Sequence, residues 1–221
     1  MNLTDNLLPA QWHWFGHALL VIALIKIALA VPWQRLKNPD MLNLWLGAGV
    51  VVMALWSIKA GIKPGLNFHL LGATAFTLMF GPQLAIFGLL LVLIGVTLAG
   101  AGGWESFSLN ALVMIVLPVW ISHTLFKLVD RTLPNHFFIY IFLNAFFAAG
   151  LAITATGLAS TWLLALSETY TLPYLYSQYL PYYILMAWSE AMSTGMIMTL
   201  MVVFRPEWVS TFDDDRYIKH K

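Results

Sequence analysis

Apolar residues fall in seven long blocks, at about 12–32, 41–60, 66–81, 83–101, 108–129, 136–166 and 178–204, each bounded by proline, glycine or charge. A helix needs about 20 apolar residues to cross a bilayer, so the pattern predicts seven transmembrane helices joined by short loops. The third block is short and polar for a span. Only Gly81-Pro82 separates it from the fourth, which predicts a tight helical hairpin. The sixth block is too long for one perpendicular crossing and is expected to tilt, to bend around Gly150 and Gly157, or to protrude.

Composition agrees with the pattern. Hydrophobic residues make up 60% of the 221 and charged residues 10%, with a mean hydropathy of +0.78, whereas soluble domains carry about 25% charged residues. The expectation is an all-α, polytopic integral membrane protein forming a single transmembrane domain over 1–221, in the bacterial inner membrane with lipid around it. A net charge of +1 gives no reason to invoke nucleic acid. The absence of cysteine excludes disulfides, thiolate ligands and thiol catalysis, so a metal site must use nitrogen, oxygen or methionine sulfur.

Charge in the loops predicts the orientation. Arg35 and Lys37, then Lys127 and Arg131, then Arg205, Arg216, Lys219 and Lys221 follow spans one, five and seven, against only Lys59 and Lys63 in the alternate loops. Basic loops stay cytoplasmic, which places the N-terminus outside and the C-terminus inside. Trp12, Trp14, Trp33, Trp104, Trp208 and the stretch Tyr170 to Tyr183 are expected at the interfaces. Residues 1–11 lack the basic start and small-residue site of a cleavable signal, so Met1 is expected to remain with a free amine.

His69 is the leading candidate for chemistry, because an ionisable side chain at membrane depth faces a bundle interior and needs a partner. Neutral imidazole is a common ligand for late first-row divalent metals, and Asn67, Thr74 and Thr77 add polar groups nearby. A core imidazole bonded to a backbone carbonyl is the plainer alternative. His13 and His17 share a helix face and could grip one ion, or could anchor the interface beside Trp12 and Trp14. Glu190 could pair with Lys26, or face a substrate or partner helix. Asn110 and Asn144 read as helix-to-helix glue, the alanine-rich face of span six as internal packing, and Met186, Met192, Met196, Met198 and Met201 as apolar filling. The run Asp213 to Asp215 reads as solvated charge. There is no phosphate-binding loop and no catalytic triad pattern, so no enzyme is expected.

Several stretches, in order, resemble the substrate-binding membrane component of cobalt and nickel energy-coupling-factor transporters, the CbiM/NikM type. These are Met1 to Trp12; His69-Leu70-Leu71-Gly72-Ala73-Thr74 running to Phe80-Gly81-Pro82; Gly102-Gly103 with Leu109-Asn110-Ala111 and Met114 to Pro118; and Glu190 with Arg205-Pro206-Glu207. The resemblance implies about seven spans and an outside N-terminus. It also implies a divalent cobalt or nickel substrate, a transmembrane coupling subunit and separate ATPase subunits. Metal is then held by the terminal amine, the next backbone nitrogen, the imidazole of a second-position histidine and the central imidazole. Met1 and His69 carry over; position two is Asn2. An amide oxygen there is a harder, weaker ligand, so the site is altered, completed by His13 or His17, or lost. The alternatives are a membrane interaction or regulatory protein that keeps the fold without a metal site, and a stand-alone passive carrier.

Overall fold

The computed structural model describes residues 2–219. Met1, His220 and Lys221 lie outside the described residues. The chain forms α1 (Ala10–Ala28), a 3-10 turn (Trp33–Lys37), α2 (Pro39–Ser57), a hairpin of β1 (Ala60–Lys63) and β2 (Leu66–Phe68), and then α3 (Ala73–Phe80) and α4 (Pro82–Leu98). It continues as α5 (Phe107–Thr132), α6 (Phe137–Leu166), α7 (Leu172–Gln178) and α8 (Leu180–Phe204). The segments Pro39–Ser57, Phe107–Thr132, Phe137–Leu166 and Leu172–Phe204 are long and apolar enough to cross a membrane, and Pro82–Leu98 is a shorter apolar helix.

Local chemistry sets the boundaries. Asn38 caps α2 by accepting from the Asp40 and Met41 amides, and Pro39 occupies the first turn, where no intrahelical donor is missed. Gly81 takes φ 82°, a left-handed conformation that reverses α3 into α4, and Pro82 starts the next helix. The expected helical hairpin therefore forms, although α3 is only 8 residues long.

That length corrects the third predicted span. Residues before His69 fold instead as the antiparallel hairpin, with Ala60 opposite Phe68 and Gly61 opposite Asn67. Pro64-Gly65, with Gly65 at φ 74°, makes the turn, and it is the sequence signal that marks this departure from an all-α chain. In α6 the irregularity is a π-helical stretch at Tyr140–Phe147, while Gly150 and Gly157 lie in regular helix. Gly157 serves close packing: a Cβ there would sit 2.3 Å from Tyr183 Cγ. Tyr179 and Tyr183 are accordingly buried in the core and bonded hydroxyl to hydroxyl at 2.8 Å, rather than interfacial. Trp14, Trp33 and Trp104 are exposed.

The core is one apolar cluster running from Trp45, Val52 and Trp56 of α2 through Phe76 and Phe80 of α3 and Leu84 to Val96 of α4 to Met198 and Val202 of α8. Exposed Ile22 of α1, Val50 of α2, Leu91 of α4, Phe142 of α6 and Leu200 of α8 form outer surfaces of the helices, an arrangement suited to lipid. Thr74 binds Ser122 at 2.8 Å, which pins α3 to α5.

Candidate metal centre

Residues 2–8 do not form a helix; residues 2–4 enter the polar end of the bundle without regular structure, and the chain then turns at Asp5-Asn6, with Asn6 at φ 62°. The Asn2 amide donates to Asn67 Oδ1 at 2.8 Å, and Asn67 Nδ2 returns a bond to the Asn2 carbonyl at 3.4 Å. The Leu3 amide donates to Asn110 Oδ1 at 2.8 Å, while Asn110 Nδ2 donates to the Leu3 carbonyl at 3.0 Å. Asn110 thus binds this segment as a neighbouring strand would, and not another helix. The Asp5 carboxylate accepts from the Trp104, Glu105 and Ser106 amides. Gly103 lies so close that a Cβ would overlap Asp5. Asp5 is a tethering residue that sequence reasoning passed over, and the neighbouring Gly102-Gly103 pair is its signal.

The result is a buried pairing. Asn2 is 0% exposed and His69 3% exposed, and Asn2 Oδ1 stands 3.0 Å from His69 Nε2. The other ring nitrogen, Nδ1, stands 3.0 Å from the Leu70 carbonyl, and the Trp56 ring lies 5.2 Å from the imidazole. His69 sits on the loop between β2 and α3.

A neutral ring has one N–H, yet both nitrogens here face oxygens that accept. Asn2 Nδ2 donates to the Ala101 carbonyl at 3.3 Å, which turns the amide oxygen toward the ring. Whichever nitrogen carries the proton, one lone pair opposes an oxygen. With Nδ1–H given to Leu70, the free pair is on Nε2, facing Asn2 Oδ1. A cation at that edge would satisfy both atoms. Metal bonds of about 2.1 Å at right angles place neighbouring donors about 3.0 Å apart, which is the separation found.

The other candidates are placed elsewhere. His13 Nε2 contacts the Leu8 carbonyl at 3.1 Å and His17 Nδ1 contacts Ser108 Oγ at 2.6 Å, so the two rings have different partners although they share a helix. Among the described residues, no three histidine or carboxylate side chains form a metal-ligating cluster. Glu190, 2% exposed, does not pair with Lys26, which is exposed; its carboxylate accepts from the Leu71 and Gly72 amides, each at 2.7 Å. Asn144 is buried without a hydrogen-bond partner among the described residues, so it is not the interhelical bond expected of it. Met198 is buried while Met192 and Met196 are exposed, so the methionines do not form one line. The expected role of the Met1 amine falls outside the described residues.

Residues 2–208 match the CbiM family, described as a cobalt uptake substrate-specific transmembrane region. The chain belongs to the CbiM family. It is 24% identical over 169 residues to "Putative cobalt transport protein CbiM 1" of Methanosarcina barkeri (strain Fusaro / DSM 804), an alignment covering 76% of this chain and 71% of that one. Two crystal structures share the fold. A truncated transition metal transporter superimposes with a TM-score of 0.78 at 19% identity, covering 92% of this chain and 99% of the other. A transition metal transporter gives 0.73 at 19% identity, covering 91% and 92%. This CbiM-family chain is a multi-pass cell-membrane protein and a membrane component for uptake of a transition metal.

Proposed function

We propose that the chain is the substrate-capture subunit of an energy-coupling-factor transporter for cobalt or nickel, with its capture point at the Asn2–His69 edge on the extracellular side. One observation carries this reading: two buried potential ligand atoms, Asn2 Oδ1 and His69 Nε2, meet at 3.0 Å, and with Nδ1–H given to the Leu70 carbonyl a cation would join them. Extracellular residues 2–8, the β-hairpin and the loop at 101–106 close around that point. Having no phosphate-binding motif of its own, the chain works with a transmembrane coupling subunit and separate ATPase subunits.

Seven crossings with the N-terminus outside complete the proposal, the third made by the loop at 69–72 together with α3. Clustering of the basic loops supports it. Arg35 donates to the Phe80 carbonyl at the far end of α3, Arg216 pairs with Asp130 near the end of α5, and Ser210 donates to the Met79 carbonyl. These loops therefore share the end of the molecule opposite the N-terminal segment. A cysteine introduced at 34–40 should resist membrane-impermeant thiol reagents in intact cells; labelling there would invert the assignment.

Asn2 itself favours one rival, a membrane interaction protein that keeps the fold without metal, because a second-position imidazole is missing. Metal analysis of the purified protein against His69→Ala separates the two. Stoichiometric cobalt or nickel in the wild type, lost by at least a hundredfold in affinity in the variant, is the expected result. Absence of bound cobalt or nickel from both proteins would favour the interaction reading, and equal stoichiometric binding in both would remove His69 from the site.

A further inference from the structure

Glu190 is a buried carboxylate with no ion-pair partner among the described residues, held in the middle of α8. Its Oε2 accepts from the Leu71 amide and its Oε1 from the Gly72 amide, both at 2.7 Å, the short length of charge-assisted bonds. Gly72 adopts φ 65°, so successive amides turn into one concavity that suits an anion.

The peptide unit is planar, so the Leu70 carbonyl and the Leu71 amide are opposite ends of one rigid plate. Glu190 grips the amide end; His69 Nδ1 bonds to the carbonyl end at 3.0 Å. The next plate is held likewise, with its Gly72 amide on Glu190 and its Leu71 carbonyl accepting from Trp56 Nε1 at 3.0 Å. The direction of the His69 ring, and the nitrogen left free to face Asn2, therefore depend on a side chain 121 residues further along the chain. Metal-bound imidazoles commonly have their second nitrogen fixed by a carboxylate or a carbonyl. Here a carboxylate acts through a carbonyl.

We propose that Glu190 is a positioning residue for metal capture: from α8 it locks the Leu70–Gly72 peptides so that His69 presents Nε2 to the Asn2 edge. This role rests on the capture reading above. It also makes α8 the helix whose displacement would be felt first at the site.

The test uses the full chain in lipid nanodiscs with Co²⁺ as the probe. Glutamine has one accepting oxygen and one NH₂, so Glu190→Gln must leave one backbone N–H facing a donor. Its Co²⁺ affinity should fall about 10- to 100-fold, and the visible ligand-field spectrum of the saturated complex should change, while far-UV circular dichroism stays the same. Glu190→Asp, which keeps both oxygens one methylene shorter, should recover part of the affinity and the original spectrum. Glu207→Gln, at an exposed carboxylate beside Arg205, should change neither. Wild-type affinity and spectrum in Glu190→Gln would overturn the assignment, as would Glu190→Gln and Glu190→Asp failing equally with loss of helical signal. A wild type that binds no Co²⁺ would instead sink the capture reading, and this role with it.

Discussion

The two ends of α3 are both anchored by residues far away in sequence, but they are finished differently. At its C-terminal end the Leu78 carbonyl accepts from Thr211 Oγ1 at 2.8 Å, the Met79 carbonyl from the Ser210 amide at 3.0 Å and the Phe80 carbonyl from Arg35 at 3.1 Å. Helix ends leave such carbonyls without intrahelical partners, and here every acceptor meets a donor. At its N-terminal end Glu190 and Trp56 satisfy the backbone equally well, yet His69 is left with an oxygen at each nitrogen. Inside a protein such an imbalance is rare and needs a reason. The closed C-terminal end is a structural joint; the N-terminal end leaves the His69 ring between two oxygens, the edge at which the proposed cation would sit.

This contrast can be broken first through the N-terminal segment. Asn110→Leu removes both bonds to Leu3 and leaves the Leu3 amide unpaired, at a cost of about 1–3 kcal/mol. Co²⁺ affinity should fall about tenfold or more and the melting temperature should drop together with it; a stability loss with unchanged affinity would show that Leu3 does not hold Asn2 in place.

A gain is expected from Asn2→His. The added imidazole supplies a second nitrogen donor beside His69 and should raise Ni²⁺ or Co²⁺ affinity by about tenfold. Titration calorimetry on Asn2→His and on Asn2→His/His69→Ala checks it, since a gain that survives loss of His69 would mean the two residues do not share a metal.

The smallest effect belongs to the C-terminal end of α3. Thr211→Val deletes the hydroxyl that bonds Leu78 and Tyr140 and should reduce stability by about 1 kcal/mol. Co²⁺ affinity should stay within twofold of wild type. A larger shift in affinity would erase the distinction between joint and site.

Some of the site was legible along the chain. His69 stood out because a titratable group in an apolar block is expensive, and Glu190 for the same reason. What escaped notice were partners whose value depends on contact. Asp5 is one acid in a polar segment until it meets three amides at 104–106. Asn110 resembled glue between helices, because sequence does not reveal that the irregular N-terminal segment runs beside it. His13 and His17 matched a helical spacing, but rings four residues apart can be turned to different neighbours, here Leu8 and Ser108.

The sequence by itself determined that this is a membrane protein with long apolar helices, that α3 and α4 turn sharply at Gly81-Pro82, and that His69 must have a buried purpose. Those conclusions follow from local quantities: the length of an apolar run, the backbone freedom of glycine, and the cost of placing a polar group among apolar ones. Only the tertiary structure decided that the third block is a hairpin, a loop and 8 residues of helix, that Glu190 serves a backbone loop instead of Lys26, and that Asn2 reaches His69. Each of these is a pairing across 67 to 119 residues of chain or a choice made to satisfy backbone polar groups in an apolar surrounding. Periodicity records which residues avoid water, but not which distant donor will meet which acceptor.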